Sequence, residues 1–227
     1  MPTLEQFNEL AELAGGFIHE VKNHISTLGL NLQLLAEDFE QPQSPRERKA
    51  LERIQRLQHE CERLIVVSND FLRFARAEQL QLESADLNEV VGDMVDFLSP
   101  TARQKNISIT FLPAGSLPMV KLDADLFKQA LLNLLVNAEQ AMPEGGEIVL
   151  QTSQSSAAVR LDVIDTGNGI PRELLPKIFI PFHTNKPGGT GLGLPTTRKI
   201  VQAHGGAIEV QSDEGHGTKF SIHLPKG

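Results

Sequence analysis

The chain has 227 residues, 40% of them hydrophobic and 22% charged, with a formal charge of −8. That length builds one large or two modest domains, and the acidic balance argues against a surface made for nucleic-acid phosphates, which needs a basic face. Cys61 is the single cysteine, which excludes an internal disulfide and a cysteine-cluster metal site and fits a reducing compartment.

No apolar run approaches the ~20 residues that span a bilayer. The opening "MPTLEQFNELAEL" has neither the basic start nor the apolar run of a signal peptide. The expectation is a cytoplasmic chain without direct membrane insertion, or the soluble part of a longer, membrane-attached protein.

From Thr3 to Leu80 the pattern is helical. Leu10, Leu13, Phe17, Val21, Ile25, Leu28, Leu32, Leu35 and Phe39 recur in threes and fours. The segment Gln41 to Pro45, "QPQSP", breaks this run, because prolines do not sit in a helix interior. A second run follows through Leu51, Ile54, Leu57, Cys61, Leu64, Val67, Phe71 and Phe74. Two such helices joined by a short turn form an antiparallel hairpin. Both stripes run the length of their helices, so a dimer closing a four-helix bundle buries them best.

One histidine on the first helix stands apart. Phe17, Val21, Ile25 and Leu28 define the expected buried seam. At about 100° per residue, His19 lies roughly 200° from Phe17, on the outward side with Lys22, Asn23 and Ser26. A histidine kept for packing belongs on the seam; an ordinary surface histidine is the bland alternative.

Ala77 to Ala85 reads as a connector, after which the texture becomes mixed α/β. "LNEVVGDMVDFLSPTARQKN" predicts a helix and "ISITFL" a strand. "DADLFKQALLNLLVNAEQAM" predicts an apolar helix stopped by Pro143 and "EGG". Strands follow at "EIVLQTS", "AVRLDVID", "AIEVQS" and "TKFSIHL", with a helix from Pro195 to Ala203 before the third.

Four motifs lie in this half. Asn133 and Asn137, four apart, share a helix face, and their carboxamide oxygens suit a hard cation such as Mg²⁺, which uses few protein ligands beside phosphates. "DTGNGI", Asp165 to Ile170, ends a strand in a carboxylate that can accept a hydrogen bond from an exocyclic amine such as that of adenine; a tight glycine turn is the alternative. "IFIPFHTNK", Ile178 to Lys186, passes from apolar to polar. "GGTGLGL", Gly188 to Leu194, feeds a helix whose first turn holds Pro195, and such an N-terminus attracts phosphates. No "GK[ST]" follows the glycines, so this is not a Walker loop.

In this order and spacing, from Leu87 to Pro225, the motifs closely resemble the ATP-binding domain shared by gyrase, Hsp90-type chaperones, histidine kinases and mismatch-repair ATPases. The resemblance implies a two-layer α/β sandwich with a mixed sheet and an ATP lid. On matching positions, Asn137 would ligate Mg²⁺ and Asn133 would support the phosphate end. Asp165 would bind the adenine amine in a pocket shaped by Gly167 and Gly169. Gly189, Thr190, Gly191, Leu192 and Gly193 would hold the triphosphate. Phe182 to Gly188 would belong to the lid, with Lys186 a phosphate contact. Gln140 stands where many relatives carry Lys or Arg, and Lys186 is the candidate to supply that charge.

The ATP fold alone does not decide the reaction. "FIHEVKNHIS", Phe17 to Ser26, resembles the histidine box of two-component sensor histidine kinases, in the nitrogen-regulation-like branch. By that resemblance His19 is the phosphoacceptor, Glu20 the general base or orienter, and Asn23 the residue assisting response-regulator dephosphorylation. His24 replaces the proline that many relatives place here to bend the helix. The chemistry suits imidazole, which titrates near ~6.5 and is largely neutral and nucleophilic at cytosolic pH.

The expectation is therefore a multidomain α and α+β chain: a helical hairpin over 1–80, a linker over 81–86 and an ATP-binding domain over 87–227. It would autophosphorylate His19 with ATP and Mg²⁺ and pass the phosphoryl group to an aspartate of a response-regulator receiver domain, as a homodimer without nucleic-acid partners. An ATPase or chaperone of the same ATP fold, an anti-sigma-type serine kinase, and a non-catalytic dimeric adaptor are the rivals. In the first the hairpin would only dimerise, and the histidine box argues against it; the second lacks a preceding phosphoacceptor hairpin; the third conflicts with an intact Asn137, Asp165 and glycine-rich loop.

Overall fold

A computed structural model describes residues 4–76, 80–186 and 189–227, with only the backbone given for residues 4–15 and Arg76. The chain divides into two compact units: residues 1–76 with 185–190, and residues 77–184 with 191–227. The side chains of Leu10 and Leu13, residues 77–79 of the expected connector, and Gly188 of the glycine-rich stretch lie outside the described residues.

In the first unit, α1 (Leu4–Glu37) and α2 (Pro45–Arg76) pack against each other as the two arms of a hairpin. Pro45 opens α2, where its missing N–H costs no helical bond. The Ser44 hydroxyl oxygen accepts the Glu47 N–H at 3.2 Å, and the Glu47 carboxylate accepts the Gln43 N–H at 2.6 Å and the Ser44 hydroxyl at 3.0 Å. This is a capping box. The Gln43 N–H and the Ser44 hydroxyl hold the Glu47 carboxyl below its ordinary range.

Ile25 and Ile54 are buried in the seam, but Phe17 is 68% and Leu28 58% exposed, so the expected burial of these two does not occur within one chain. The reason is geometric. Two helices cover one strip of each other, and Leu57 and Leu64 on α2 are left half exposed in the same way. No described helix is long and apolar enough to cross a membrane.

In the second unit, α3 (Leu87–Gln104) and α4 (Ala124–Gln140) begin at Asp86 and Asp123, whose carboxylates accept N–H groups of their first turns. Five strands, β2 (Ile107–Leu112), β4 (Gly146–Gln154), β5 (Ala158–Asp165), β6 (Ala207–Ser212) and β7 (Thr218–Pro225), form a sheet in the order β2-β4-β5-β7-β6. The β2–β4 pair is parallel and the other pairs antiparallel, which makes the sheet mixed, as expected. A two-stranded ribbon of β1 (Glu83–Ala85) and β3 (Val120–Leu122) was not expected from the pattern.

Period-two alternation sorts the sheet residues. Ile148, Leu150, Leu161, Val163, Phe220 and Ile222 point to one face and join Val91, Phe127, Leu131, Leu134 and Val201 of the helices in one core. The other face is polar. There Asp162 accepts from Ser221 Oγ at 2.6 Å and Arg160 Nε at 2.7 Å, and pairs with Lys219 Nζ at 3.1 Å. The helix following the glycine-rich loop, α5 (Gly193–Ala203), completes the helical layer beside α4.

Candidate nucleotide and phosphoacceptor sites

Asp165 ends β5 between its register partners Ile148 of β4 and Thr218 of β7. It is 6% exposed, and its Oδ1 accepts the N–H groups of Gly167 at 2.9 Å and Thr218 at 3.2 Å. Two backbone donors thus fix one carboxylate oxygen and set the direction of the other. The following turn is tied on both sides. Asn168 donates its N–H to Ala141 O at the end of α4, and Ile170 donates to Ser212 Oγ at the end of β6. Gly169 has φ +67°, and a Cβ there would stand 2.1 Å from the Asp213 carbonyl oxygen, so this turn accepts only glycine.

Asn133 and Asn137 share a face of α4, as their spacing required. Asn133 is already engaged: its Nδ2 donates to Gly193 O at 3.1 Å and lies 3.4 Å from Thr197 Oγ1, while Thr197 Oγ1 donates to Gly193 O at 3.0 Å. Its carboxamide therefore ties the middle of α4 to the first turn of α5. Asn137 stands one turn further along α4, half-buried.

The start of α5 differs from those of α3 and α4 in having no side-chain cap; its N-cap position is Leu192. Leu192 is fully buried. Gly191 has φ +67°, and a Cβ on it would lie 2.7 Å from the Phe182 carbonyl carbon and 2.8 Å from the His183 nitrogen. The Phe182 N–H donates to Gly191 O at 3.1 Å, and Phe182 itself has φ +62°. Phe182, a non-glycine residue held in a sparsely populated conformation where the expected lid begins, is thereby fixed to Gly191 of the glycine-rich stretch.

Three expected nucleotide contacts, Lys186, Gly189 and Thr190, fall in the segment grouped with the hairpin. There Gly189 N donates to Lys186 O at 3.1 Å, and the Thr190 hydroxyl donates to Asp70 Oδ2 of α2 at 2.8 Å. The Thr190 hydroxyl is therefore committed to a carboxylate here, whatever its backbone does.

On α1, His19, Glu20 and Asn23 are all exposed. The polar atom at hydrogen-bond distance from the ring belongs to Asn23, whose Nδ2 lies 3.4 Å from His19 Nδ1. Turning the carboxamide over places Oδ1 there instead, as an acceptor for Nδ1–H. Asn23 is thus within reach of the imidazole, a contact the sequence pattern did not indicate. His24 is exposed as well.

Among the described residues no three His, Cys, Asp or Glu side chains gather into a metal cage. The donor set fits a cation held by one carboxamide and by phosphate oxygens, the habit of Mg²⁺. An uncapped helix start behind a glycine whose Cβ position is filled by backbone fits a polyphosphate.

Comparison with known proteins agrees with this geometry. Residues 122–227 match the family of histidine kinase-, DNA gyrase B- and HSP90-like ATPases. The sensor histidine kinase ZraS of Escherichia coli strain K12 is 36% identical over 225 residues, which cover 99% of this chain and 47% of that protein. The chain thus spans about half the length of the curated relatives it matches.

Full-length ShkA, solved with AMPPNP, superposes with a TM-score of 0.71 at 27% identity, covering 92% of this chain and 45% of that one. Histidine kinase ThkA matches in two forms. Its catalytic domain is 36% identical, covers 65% of this chain and 97% of that one, and has a TM-score of 0.60. Its complex with the response regulator TrrA gives a TM-score of 0.68 at 27% identity, covering 96% of this chain and 64% of that one. A helical hairpin followed by this ATPase fold, with these relatives, places the chain in the two-component histidine kinase family, as a histidine kinase catalytic core.

Proposed function

We propose that the chain phosphorylates its own His19 from ATP and passes the phosphoryl group to an aspartate of a response-regulator receiver domain. The observation that carries this reading is the exposed His19, flanked by Glu20 and one turn from Asn23, on a chain whose α4, β5 and α5 form the histidine-kinase-type nucleotide fold. Residues 1–80 serve as the dimerisation and phosphotransfer hairpin, 81–86 as linker and 87–227 as the catalytic domain. ATP and receiver domains place this work in the cytoplasm, whether the chain acts alone or within a longer membrane-attached protein.

An imidazole nitrogen of His19 attacks the γ-phosphorus, an N–P bond forms, the bond to the bridging oxygen breaks, and ADP leaves. Glu20 accepts the proton from the other ring nitrogen, with Asn23 positioned to hold the ring. Asp165 takes the adenine amine beside Gly167 and Gly169. The start of α5, with Gly191, Leu192 and Gly193, offers backbone N–H groups to the phosphates, joined by Lys186 of the lid and by Gly189 and Thr190 of the glycine-rich loop. Asn137 would be the protein ligand for Mg²⁺, with Asn133 supporting the phosphate end; the cation, when bound, would supply positive charge to the phosphates. The phosphoramidate then donates to the receiver aspartate. On the reverse path Asn23 orients the water that dephosphorylates the partner.

The exposed stripe of Phe17, Leu28, Leu57 and Leu64 supports a homodimer in which two hairpins close one bundle. Incubation with γ-labelled ATP and Mg²⁺ tests the whole reading. The label should be acid-labile and base-stable, and absent in His19→Gln and Asn137→Ala. A label that survives acid, or persists in His19→Gln, overturns it.

A further inference from the structure

The helices α4 and α5 are joined at a second place, by a residue with no part in the chemistry above. His204 is the C-cap residue of α5 and is 4% exposed. Its Nδ1 lies 2.8 Å from Ile200 O, and its Nε2 lies 2.9 Å from the backbone nitrogen of Asp123. A carbonyl oxygen can only accept and an amide N–H can only donate. The ring therefore carries its proton on Nδ1 and presents a lone pair at Nε2.

The donor at Nε2 is the N-cap residue of α4. Asp123 Oδ1 accepts Leu126 N at 3.0 Å and its Oδ2 accepts Gln81 N at 2.9 Å, while its own N–H goes to His204. Phe127, in the first turn of α4, meets the imidazole edge-on, with centroids 6.2 Å apart and planes at 73°. One side chain thus fastens the last turn of α5 to the first turn of α4.

The two ties are commensurate. Asn133 lies ten residues beyond Asp123 along α4, about 15 Å at 1.5 Å per residue. Gly193 lies eleven residues before His204 along α5, about 16 Å on the same rise. The helices run antiparallel, pinned at Asp123–His204 and at Asn133–Gly193, so neither can slide along the other. Asn137 rides on the first helix and the glycine-rich loop feeds the second.

We infer that His204 is a positioning residue for nucleotide binding: it fixes the register of α5 on α4, so that the phosphate-facing start of α5 and Asn137 meet the same ligand. This rests on the reading of α4 and α5 as the nucleotide site.

Three variants test it against a non-hydrolysable ATP analogue with Mg²⁺, alongside autophosphorylation kinetics. His204→Phe keeps the ring volume and the contact with Phe127 but removes both polar atoms. Its Kd for the analogue should rise about 10-fold, one hydrogen-bonded tie of ~1.4 kcal/mol, with the KM for ATP raised in step and kcat at saturation changed less. His204→Gln returns an acceptor to Asp123 N and should recover to within about 3-fold of wild type. Val201→Ala, buried in α5 with no bond to α4, lowers stability without touching the tie and should bind as wild type.

Wild-type binding by His204→Phe, equal weakening in His204→Phe and Val201→Ala, or no recovery in His204→Gln overturns the inference alone. Wild-type protein that binds no analogue, or Asn137→Ala that binds it undiminished, overturns the reading of the site and this inference with it.

Discussion

On the proposed reading, Asp165 separates a structural role from a ligand role within one side chain. Its Oδ1 receives the N–H groups of Gly167 and Thr218, both at the buried end of β5. In Asp165→Asn the carboxamide oxygen can keep both bonds, and the amide NH₂ then turns toward the adenine amine. A donor meets a donor where a carboxylate stood. The lost bond is of the charge-assisted kind, about 1.5–3 kcal/mol, which corresponds to a rise in Kd of roughly 10- to 150-fold. Asp165→Ala also strips both backbone donors of their acceptor. With each buried orphan costing at least about 1 kcal/mol, the nucleotide-free protein should melt roughly 4–8 °C lower. Calorimetric titration with a non-hydrolysable ATP analogue and Mg²⁺, plus thermal melting without nucleotide, reads both quantities. The asparagine variant should bind poorly and melt close to wild type; the alanine variant should fail on both counts. Wild-type affinity in Asp165→Asn would refute the assignment of this carboxylate to the base.

Gly191→Ala should weaken nucleotide binding by at least an order of magnitude in the same titration, because its Cβ meets the Phe182 and His183 backbone at 2.7–2.8 Å. Gly215→Ala, with φ +81° and nothing within 4 Å of its Cβ, carries only backbone strain of about 1 kcal/mol and should bind normally. Burial pushes the Asp162 carboxyl up, but hydrogen bonds from Ser221, Arg160 and Lys219 outweigh this and hold it below its ordinary 3.8. A lowered folded value means stability that is present above the unfolded value and lost as pH falls through the folded one. Wild type should therefore lose its advantage over Asp162→Asn below about pH 4 in acid denaturation followed by circular dichroism. Leu57→Asp with Leu64→Asp places charge on the half-exposed stripe of α2. Sedimentation should show a monomer with unchanged helix content, and a dimer that persists would remove the bundle. Asn23→Ala should retain the acid-labile label while losing most dephosphorylation of a phosphorylated receiver domain, and full phosphatase activity would remove that role.

What the sequence made legible depended on the range of the interaction responsible. Period-two alternation located β2, β4, β5, β6 and β7, because each strand buries one face against the helical layer and the pattern is internal to the strand. β1 and β3 are three residues each, too short for any period to register, and they exist only because Ala85 meets Val120 across the chain. The helical period placed His19 outward correctly, yet it put Phe17 and Leu28 in a buried seam that a single hairpin leaves exposed. Periodicity reports which face a helix wants covered, and here one partner helix is too narrow to cover it. The same limit governs the site. Spacing put Asn133 and Asn137 on one face, but a four-residue interval carries no information about Gly193, sixty residues later, which claims the Asn133 amide. His204 gave no signal at all, since a histidine before two glycines at a helix end reads as an ordinary terminus. Its meaning comes from an N–H eighty-one residues earlier. Local motifs therefore mark where ATP contacts are proposed, while the groups that tie α4 to α5 can be found only where the fold brings distant backbone atoms together.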